Sequence, residues 1–408
     1  MDQAVPGNNQ PGIVDAAWAL GADLPCQRPV RMQRRDVATG VESTVCIRCG
    51  TRVASLCPSC ASLYRGDVAA VLRDGLFGTA EDEVIVLLTL TAPSFGETHF
   101  VPPQAPPKDE KKAHAGWERR FGKRKCRCGN KHLPGDKEWT GVPRDSETYD
   151  YEGQVRWNRM VPRLWTRTAD ELTRVLLSDG SRLPYAAVTE FQRRGAVHLH
   201  VLMRVPTTFT LDLYEDEGAM RSKAIEQIVA KVGTYAPGDT SGHRFEWGGQ
   251  AHAQVITDAM GRDKKRAAGY LAKLVTYAAK DLASDGLGSP IDEGPFAIHL
   301  DTLTRQAQKS KCPSHWASDE GSHDCVDCRR GQRSSAWGFR GHTLRRSRNW
   351  STMSLTSCRE ARRAWQAKGG VDGSAEWFEP DTGWSWSRRK EWDRMRQSAA
   401  NAMTLAPP

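Results

Sequence analysis

The stretch Glu190-Phe-Gln-Arg-Arg-Gly-Ala-Val-His-Leu-His200, running on as Val-Leu-Met-Arg204, restricts the fold of this chain more than any other. It reads as two short strands, 185–191 and 196–204, joined by a tight turn at Arg193, Arg194 and Gly195. Strand side chains alternate with period two, so Val197, Leu199 and Val201 take one face and His198 and His200 the other. Two imidazoles on an apolar strand are costly to bury unless something satisfies them. A divalent ion satisfies both, and in a hairpin Glu190 lies roughly opposite the pair and adds a hard oxygen ligand. Two His and one carboxylate leave positions on the ion open for a substrate oxygen. A bare His-X-His more often belongs to a strand with solvated or hydrogen-bonded histidines, so the metal reading rests on the rest of the chain.

The length of 408 residues argues for more than one domain, and a hydrophobic content of 39% suffices for a core. Fifty-eight Lys and Arg against 49 Asp and Glu make the chain modestly basic, and the cations are clustered. No run of about 18 apolar residues is present, so no membrane span is expected. Residues 1–30 lack the pattern of a secretory signal, and the expected location is the cytoplasm. Thiols stay reduced there, so the eleven cysteines, several in paired spacings, read as metal ligands rather than disulfides.

Residues 1–40 are rich in Gly, Pro and Asn and read as a disordered tail. Cys46-Ile-Arg-Cys49 and Cys57-Pro-Ser-Cys60 then offer four thiolates to one structural Zn²⁺, defining a module at 41–78. A β-branched strand, 84–91, opens a central domain at 79–290 and stops at Ala92-Pro93. Residues 101–145 form a charged, Pro-rich insertion. Within it, Cys126-Arg-Cys128 with His132 close behind reads equally as a further zinc site or as packing cysteines. Residues 149–177 carry Trp157, Leu164, Trp165, Leu172 and Leu176 at helical spacing, with Pro162 as a break or kink. A helix at 218–231 and a strand at 252–257 follow.

Residues 267–280 form a helix by propensity, on which Tyr270, Lys273, Tyr277 and Lys280 share one face. Cys312-Pro-Ser-His315 and Cys325-Val-Asp-Cys328 make a second zinc signature within a module at 300–350. That module ends in arginines interleaved with aromatics, Arg340, Arg345, Arg346 and Arg348, which suit phosphates and stacked bases as well as they suit a solvated basic loop. Residues 351–408 are a basic, Trp-rich segment.

A His-X-His strand, a tyrosine helix downstream and basic surroundings together resemble the HUH endonucleases. The resemblance covers Leu88-Thr-Leu-Thr91, the His198/His200 pair and the Tyr270–Lys280 helix, in that family's order. More narrowly, the chain is similar to replication initiators of actinobacterial rolling-circle plasmids and integrative conjugative elements. Cys57-Pro-Ser-Cys60 with Leu63-Tyr-Arg65, Thr89-Leu-Thr-Ala-Pro-Ser-Phe-Gly96, Tyr149-Asp-Tyr151 with Trp157-Asn158, Glu190 to His200, Gly269-Tyr-Leu-Ala-Lys273 and Phe339-Arg-Gly-His342 carry that likeness. It implies an α+β fold, an antiparallel ferredoxin- or RRM-like sheet with helices, flanked or interrupted by zinc knuckles. It also implies a metal-dependent DNA endonuclease and strand transferase. A tyrosine attacks single-stranded or cruciform origin DNA, keeps the 5′-phosphate as an ester and frees a 3′-OH primer.

Mg²⁺ or Mn²⁺ on Glu190, His198 and His200 is the implied catalytic ion, and host helicase and polymerase are the implied partners. Relatives often read Tyr-x-Ala-Lys-Tyr-x-x-Lys, whereas Leu274 follows Lys273 here and Tyr277-Ala-Ala-Lys280 repeats the Tyr-x-x-Lys part. Tyr277 is therefore the expected nucleophile and Tyr270 the second choice, with Lys273 or Lys280 beside the phenolate. The competing readings are a zinc-ribbon DNA-binding protein without chemistry, and another HUH enzyme such as a transposase or relaxase.

Overall fold

The computed structural model describes residues 26–36, 40, 42–54, 56–177, 180–208, 217–239, 241–256, 262–274, 293–312, 315–316, 325, 337–367 and 375–378. In chain order the first half contains β1 (Val30–Asp36), β2 (Glu42–Ile47), α1 (Pro58–Phe77), β3 (Glu83–Leu90), α2 (Lys111–Trp117) and α3 (Tyr151–Leu176). The hairpin strands β4 (Tyr185–Phe191) and β5 (Val197–Pro206) come next, then α4 (Glu217–Ala230), β6 (Gly233–Tyr235), β7 (Arg244–Glu246) and β8 (His252–Ile256). Last are α5 (Arg262–Leu274), α6 (Pro295–Lys309), β9 (Leu344–Arg346), α7 (Leu355–Ala367) and β10 (Ala375–Phe378).

The chain divides into two compact units, residues 1–74 with 353–408, and residues 75–352. In the first unit β1 lies between β10 and β2, antiparallel to both. Part of the expected N-terminal tail is thus a strand: Val30 to Arg35 pair with Ile47 to Glu42. Apolar patterning is weak there because the strand reads VRMQRRD, and the backbone ladder with β2 defines the element.

The second unit is built on a five-stranded sheet of order β8-β3-β5-β4-β9, antiparallel at every pairing. One face carries Val86, Leu88 and Leu90 of β3 with Val197, Leu199, Val201, Met203 and Val205 of β5. Against it packs α3, through Trp157, Val161, Leu164, Trp165, Leu172 and Leu176. A fully buried Leu of this kind contributes about 1.5–3 kcal/mol. Asp150 caps α3 by accepting from Gly153 N at 2.7 Å. The helix runs through Pro162 rather than ending there. Proline lacks the N–H that would bond to the Asn158 carbonyl, yet its own carbonyl accepts from Thr166 Oγ1 (2.9 Å) and Arg345 Nη1 (2.9 Å).

Residues 300–350, expected to be a separate module, share this core. Phe296, Leu300, Leu303 and Ala307 of α6 join the same cluster as Trp337 and Phe339. β9 completes the edge of the sheet by pairing with Ala186 to Val188. The apolar stripe of α6 needs a partner surface, and the sheet core provides it. Among the described residues no helix is long and apolar enough to cross a membrane.

Candidate active site and metal centres

Glu190 of β4 stands directly across from His198 of β5, and Thr89 of β3 across from His200. Both histidines lie on the sheet face away from α3. His200 is buried and is held from both ring nitrogens: Nε2 donates to Glu190 Oε2 at 3.0 Å, and Nδ1 meets Thr89 Oγ1 at 3.3 Å. The two imidazole rings are 4.6 Å apart. Burial first, then the neighbouring His200 and Arg194, push the His198 pKa down to about 4, against a raising pull from Glu190. His198 Nδ1 accepts from Gln192 Nε2 at 3.1 Å, while Gln192 Oε1 accepts from Arg194 Nε at 2.9 Å.

Two ligands on adjacent corners of an octahedral ion bound at about 2.1 Å lie about 3.0 Å apart. That is the Glu190 Oε2–His200 Nε2 separation, and a carboxylate with two imidazoles is a donor set for Mn²⁺ or Mg²⁺. His198 stands beside this pair, its ring 4.6 Å from that of His200.

The turn after β4 is fixed from behind. Gly195 N donates to Gln192 O (2.7 Å) and Gln192 N to Ala196 O (2.9 Å), closing it. Gly195 has φ +78°, and a Cβ there would meet Leu303 Cδ2 at 2.3 Å, so glycine is required. Asn158, wholly buried, donates to Gly195 O (3.0 Å) and Trp337 O (2.9 Å) and accepts from Val197 N (2.9 Å). Gln154 Nε2 and His299 Nε2 both donate to Arg194 O, at 2.8 and 3.2 Å. His299 Nδ1 accepts from Tyr151 OH at 3.1 Å, and burial pushes its pKa down to about 4.

The tyrosine helix begins earlier than the propensity reading has it, at Arg262, and is described to Leu274. Ala268, Leu271, Ala272 and Leu274 are buried and anchor it. Leu274, the residue that departs from the relatives' pattern, is therefore a packing residue. Tyr270 is half exposed, and its ring lies 5.9 Å from that of His200, edge to face. Burial, and then the charge of Glu190, raise the Tyr270 pKa. Lys273 is exposed one turn on. Tyr277 and Lys280 lie outside the described residues.

Three groups of Cys and His bring their ligand atoms within 4.8 Å of one another among the described residues. Around a tetrahedral zinc bound at about 2.3 Å by sulfur and about 2.05 Å by nitrogen, neighbouring donors lie about 3.8 Å (S–S), about 3.6 Å (S–N) and about 3.3 Å (N–N) apart. The first group is Cys26, Cys49, Cys57 and Cys60, with S–S distances of 3.5, 3.7 and 3.9 Å. Cys26 stands where the spacing puts Cys46. Cys46 pairs with Arg31 of β1 in the β2 ladder. Continuing that register outward from Val30–Ile47 sets Cys26 level with Thr51, beside Cys49, whose amide donates to Cys26 Sγ at 3.3 Å. Hydrogen bonds with Cys26 and Cys49 hold the Cys60 thiol far below the usual thiol range.

The second group joins His99 to Cys126, Cys128 and His132, with His99 Nδ1–His132 Nε2 3.1 Å, Cys126 Sγ–His99 Nδ1 3.6 Å and Cys128 Sγ–His132 Nε2 3.4 Å. His114, ahead of these cysteines in the insertion, bonds through Nδ1 to Pro106 O at 2.8 Å. The third contains Cys312, His315 and Cys325, with Cys312 Sγ 3.0 Å from His315 Nδ1 and 3.8 Å from Cys325 Sγ. Cys328 lies outside the described residues.

The four arginines near the C-terminal edge of this unit divide into two pairs. Arg345 donates to Pro162 O (2.9 Å) and Thr166 Oγ1 (3.1 Å), and Arg346 to Ser347 O (3.2 Å) and Ser351 O (3.0 Å). Both are half-buried and tie β9 to its surroundings. Arg340 and Arg348 are exposed.

A family profile described as "Replication initiator protein, pSAM2" matches residues 19–404. The chain belongs to that family of replication initiators. It is also 31% identical over 360 residues to a replication initiator protein of Streptomyces ambofaciens, covering 79% of this chain and 70% of that one. No solved structure matches.

Some of the residues that shape the site gave little signal in sequence. His99 stands 27 residues ahead of Cys126 without a knuckle spacing, Cys26 lies in a stretch of loop-like composition, and His299 sits inside an amphipathic helix. Gln192, within the hairpin motif, signalled only a turn residue.

Proposed function

We propose that this replication initiator nicks one strand of its origin DNA through a tyrosine, keeping a 5′-phosphotyrosine link and freeing a 3′-OH for rolling-circle synthesis. The observation that carries the reading is the Glu190–His200 contact of 3.0 Å, with His198 beside it and the Tyr270 ring 5.9 Å from His200. Mg²⁺ or Mn²⁺ held by Glu190, His198 and His200 would polarise the scissile phosphate and offset its developing charge.

The chain's own residues do the rest. Tyr270 O attacks the phosphorus, the P–O3′ bond breaks, the phenolic proton passes to solvent and the 3′ oxygen leaves protonated. Burial, and then the charge of Glu190, disfavour the phenolate of Tyr270, so its attack would draw on the charge of the bound cation. Thr89 and Gln192 each hold one imidazole by Nδ1, which fixes the ring planes beside Glu190. The four cysteines around Cys26, and Cys312, His315 and Cys325 with Cys328 as the fourth ligand that the spacing supplies, would hold structural Zn²⁺, since four protein ligands leave no open position.

The test compares Tyr270→Phe and Tyr277→Phe on a labelled single-stranded origin oligonucleotide, scored for the covalent adduct. Loss with Tyr270→Phe alone is the expected result. Loss with Tyr277→Phe alone reassigns the nucleophile to the residue that precedes Lys280 at Tyr-x-x-Lys spacing. Retention of metal-dependent nicking by the His198→Ala/His200→Ala double variant would overturn the mechanism.

A further inference from the structure

We propose that a zinc ion bound by His99, Cys126, Cys128 and His132 folds the insertion into a second DNA-binding surface, one that grips duplex phosphates beside the nicking site. The donor separations of 3.1, 3.4 and 3.6 Å match the N–N and N–S spacings around tetrahedral zinc. Both sulfurs also accept backbone amides, Phe100 N on Cys126 Sγ (3.3 Å) and Asn130 N on Cys128 Sγ (3.4 Å). Such donors stabilise thiolates. Trp139 packs on both histidine rings, at 4.6 and 5.2 Å, and shields that side.

The four ligands close a loop, since His99 precedes the insertion and the other three lie in its second half. Residues 111–131 within that loop hold nine Lys or Arg and a single acidic residue, Glu118. All nine cations are exposed. Like charges this dense repel one another, and a short segment without a large core does not hold them in place by itself. A metal ligated at both ends does, and Phe100, next to His99, takes Phe121 in a stack (6.4 Å) and Arg124 over its ring (4.1 Å). Arg127 and Arg144 pair with Glu97 and are set aside. Arg119, Arg120, Lys123 and Lys125 remain on the outer surface for phosphates.

The insertion also abuts the catalytic hairpin. Arg193 Nε donates to Thr140 O at 3.5 Å, and a Cβ on Gly141 would meet Arg194 N at 2.6 Å. The same insertion thus reaches, through Thr140 and Gly141, the turn between the strands that carry Glu190 and His198. Duplex DNA flanking the nick fits this surface, because its phosphates are dense and its contacts need no base reading. The inference rests on the reading that the protein works on origin DNA, and its test keeps the two apart.

The full-length protein is used throughout. Native mass spectrometry of Cys126→Ser/Cys128→Ser should show one zinc fewer than the parent, while His132→Cys, which keeps four donors, should retain the full count. An unchanged count in the double variant overturns the site. Arg119→Ala/Arg120→Ala/Lys123→Ala/Lys125→Ala should weaken binding to an origin duplex and make the log K against log salt slope shallower by about one unit per cation removed. The same variant should still nick a short single-stranded oligonucleotide. An unchanged salt slope overturns the DNA surface, whether or not nicking of the short oligonucleotide changes. Absence of any nicking by the parent protein would instead sink the tyrosine mechanism and leave the zinc count and the slope to stand.

Discussion

His198 can carry an ion on Nε2 only if the Gln192 carboxamide turns over. In the free protein Arg194 Nε holds Gln192 Oε1, which presents the amide nitrogen to His198 Nδ1. That arrangement makes Nδ1 the acceptor and leaves the ring proton on Nε2, the wrong tautomer for a ligand. A side chain that accepts from Nδ1 reverses this and raises the basicity of Nε2. Gln192→Glu should therefore tighten Mn²⁺ binding, and Gln192→Leu should weaken it on the order of 10- to 100-fold, both read from Mn²⁺ titrations of nicking and of the free-ion EPR signal. Equal affinities in all three proteins would remove Gln192 from the metal's support. The His-X-His pair was readable because alternation on a strand decides which side chains share a face. Gln192 was not, because its role depends on a hydrogen bond to a ring six residues on across a hairpin turn.

Among the elements, the hairpin is shaped as much by what stands behind it as by its own residues. Helix α3 was legible from its apolar period, whereas Asn158 within it entered only as part of the Trp157-Asn158 likeness, without a role. It satisfies Gly195 O, Trp337 O and Val197 N at once, all out of contact with water. Asn158→Ala leaves those three groups unpaired and should cost on the order of 3 kcal/mol, seen as a lower urea midpoint, with nicking reduced further because the His198 strand loses its anchor.

His299 adds a pH dependence to the same turn. Its folded pKa of about 4 lies below the ordinary histidine value near 6.5. The unfolded chain thus binds the proton more readily, so stability is full above about pH 6.5 and falls as pH drops toward 4. The loss attributable to His299 is about 2 kcal/mol at pH 5. His299→Gln can still accept from Tyr151 and donate to Arg194 O, and should flatten the fall between pH 7 and pH 5, leaving the share of the same sign from His198. An undiminished fall in the variant would place the pH sensitivity elsewhere.

At the scale of the whole molecule, the segment around Cys26 and the sheet of residues 75–352 differ in what holds them. The unit of residues 75–352 has a broad apolar core spanning the sheet, α3 and α6. The buried cluster around Cys26 is four cysteines and Val30. Thiols packed together without an ion gain little, whereas structural zinc contributes folding free energy directly. Cysteine spacing alone pointed to Cys46, since it precedes Cys49 as Cys57 precedes Cys60. What spacing leaves out is the β1–β2 register, which carries Cys26 alongside Cys49. No count of intervening residues encodes a register.

The prediction follows from that difference. In hydrogen exchange under reducing conditions, a zinc chelator at pH 7 should remove protection from residues 26–60 while amides of β3 and β5 stay protected. Cys26→Ser should reproduce that loss without chelator and lower the bound zinc by one. Cys46→Ser should change neither, because a ladder position tolerates serine and the four sulfurs stay together. If Cys46→Ser releases zinc and Cys26→Ser does not, the knuckle pairing inferred from spacing holds, and the pairing of β1 with β2 is the part that must be revised.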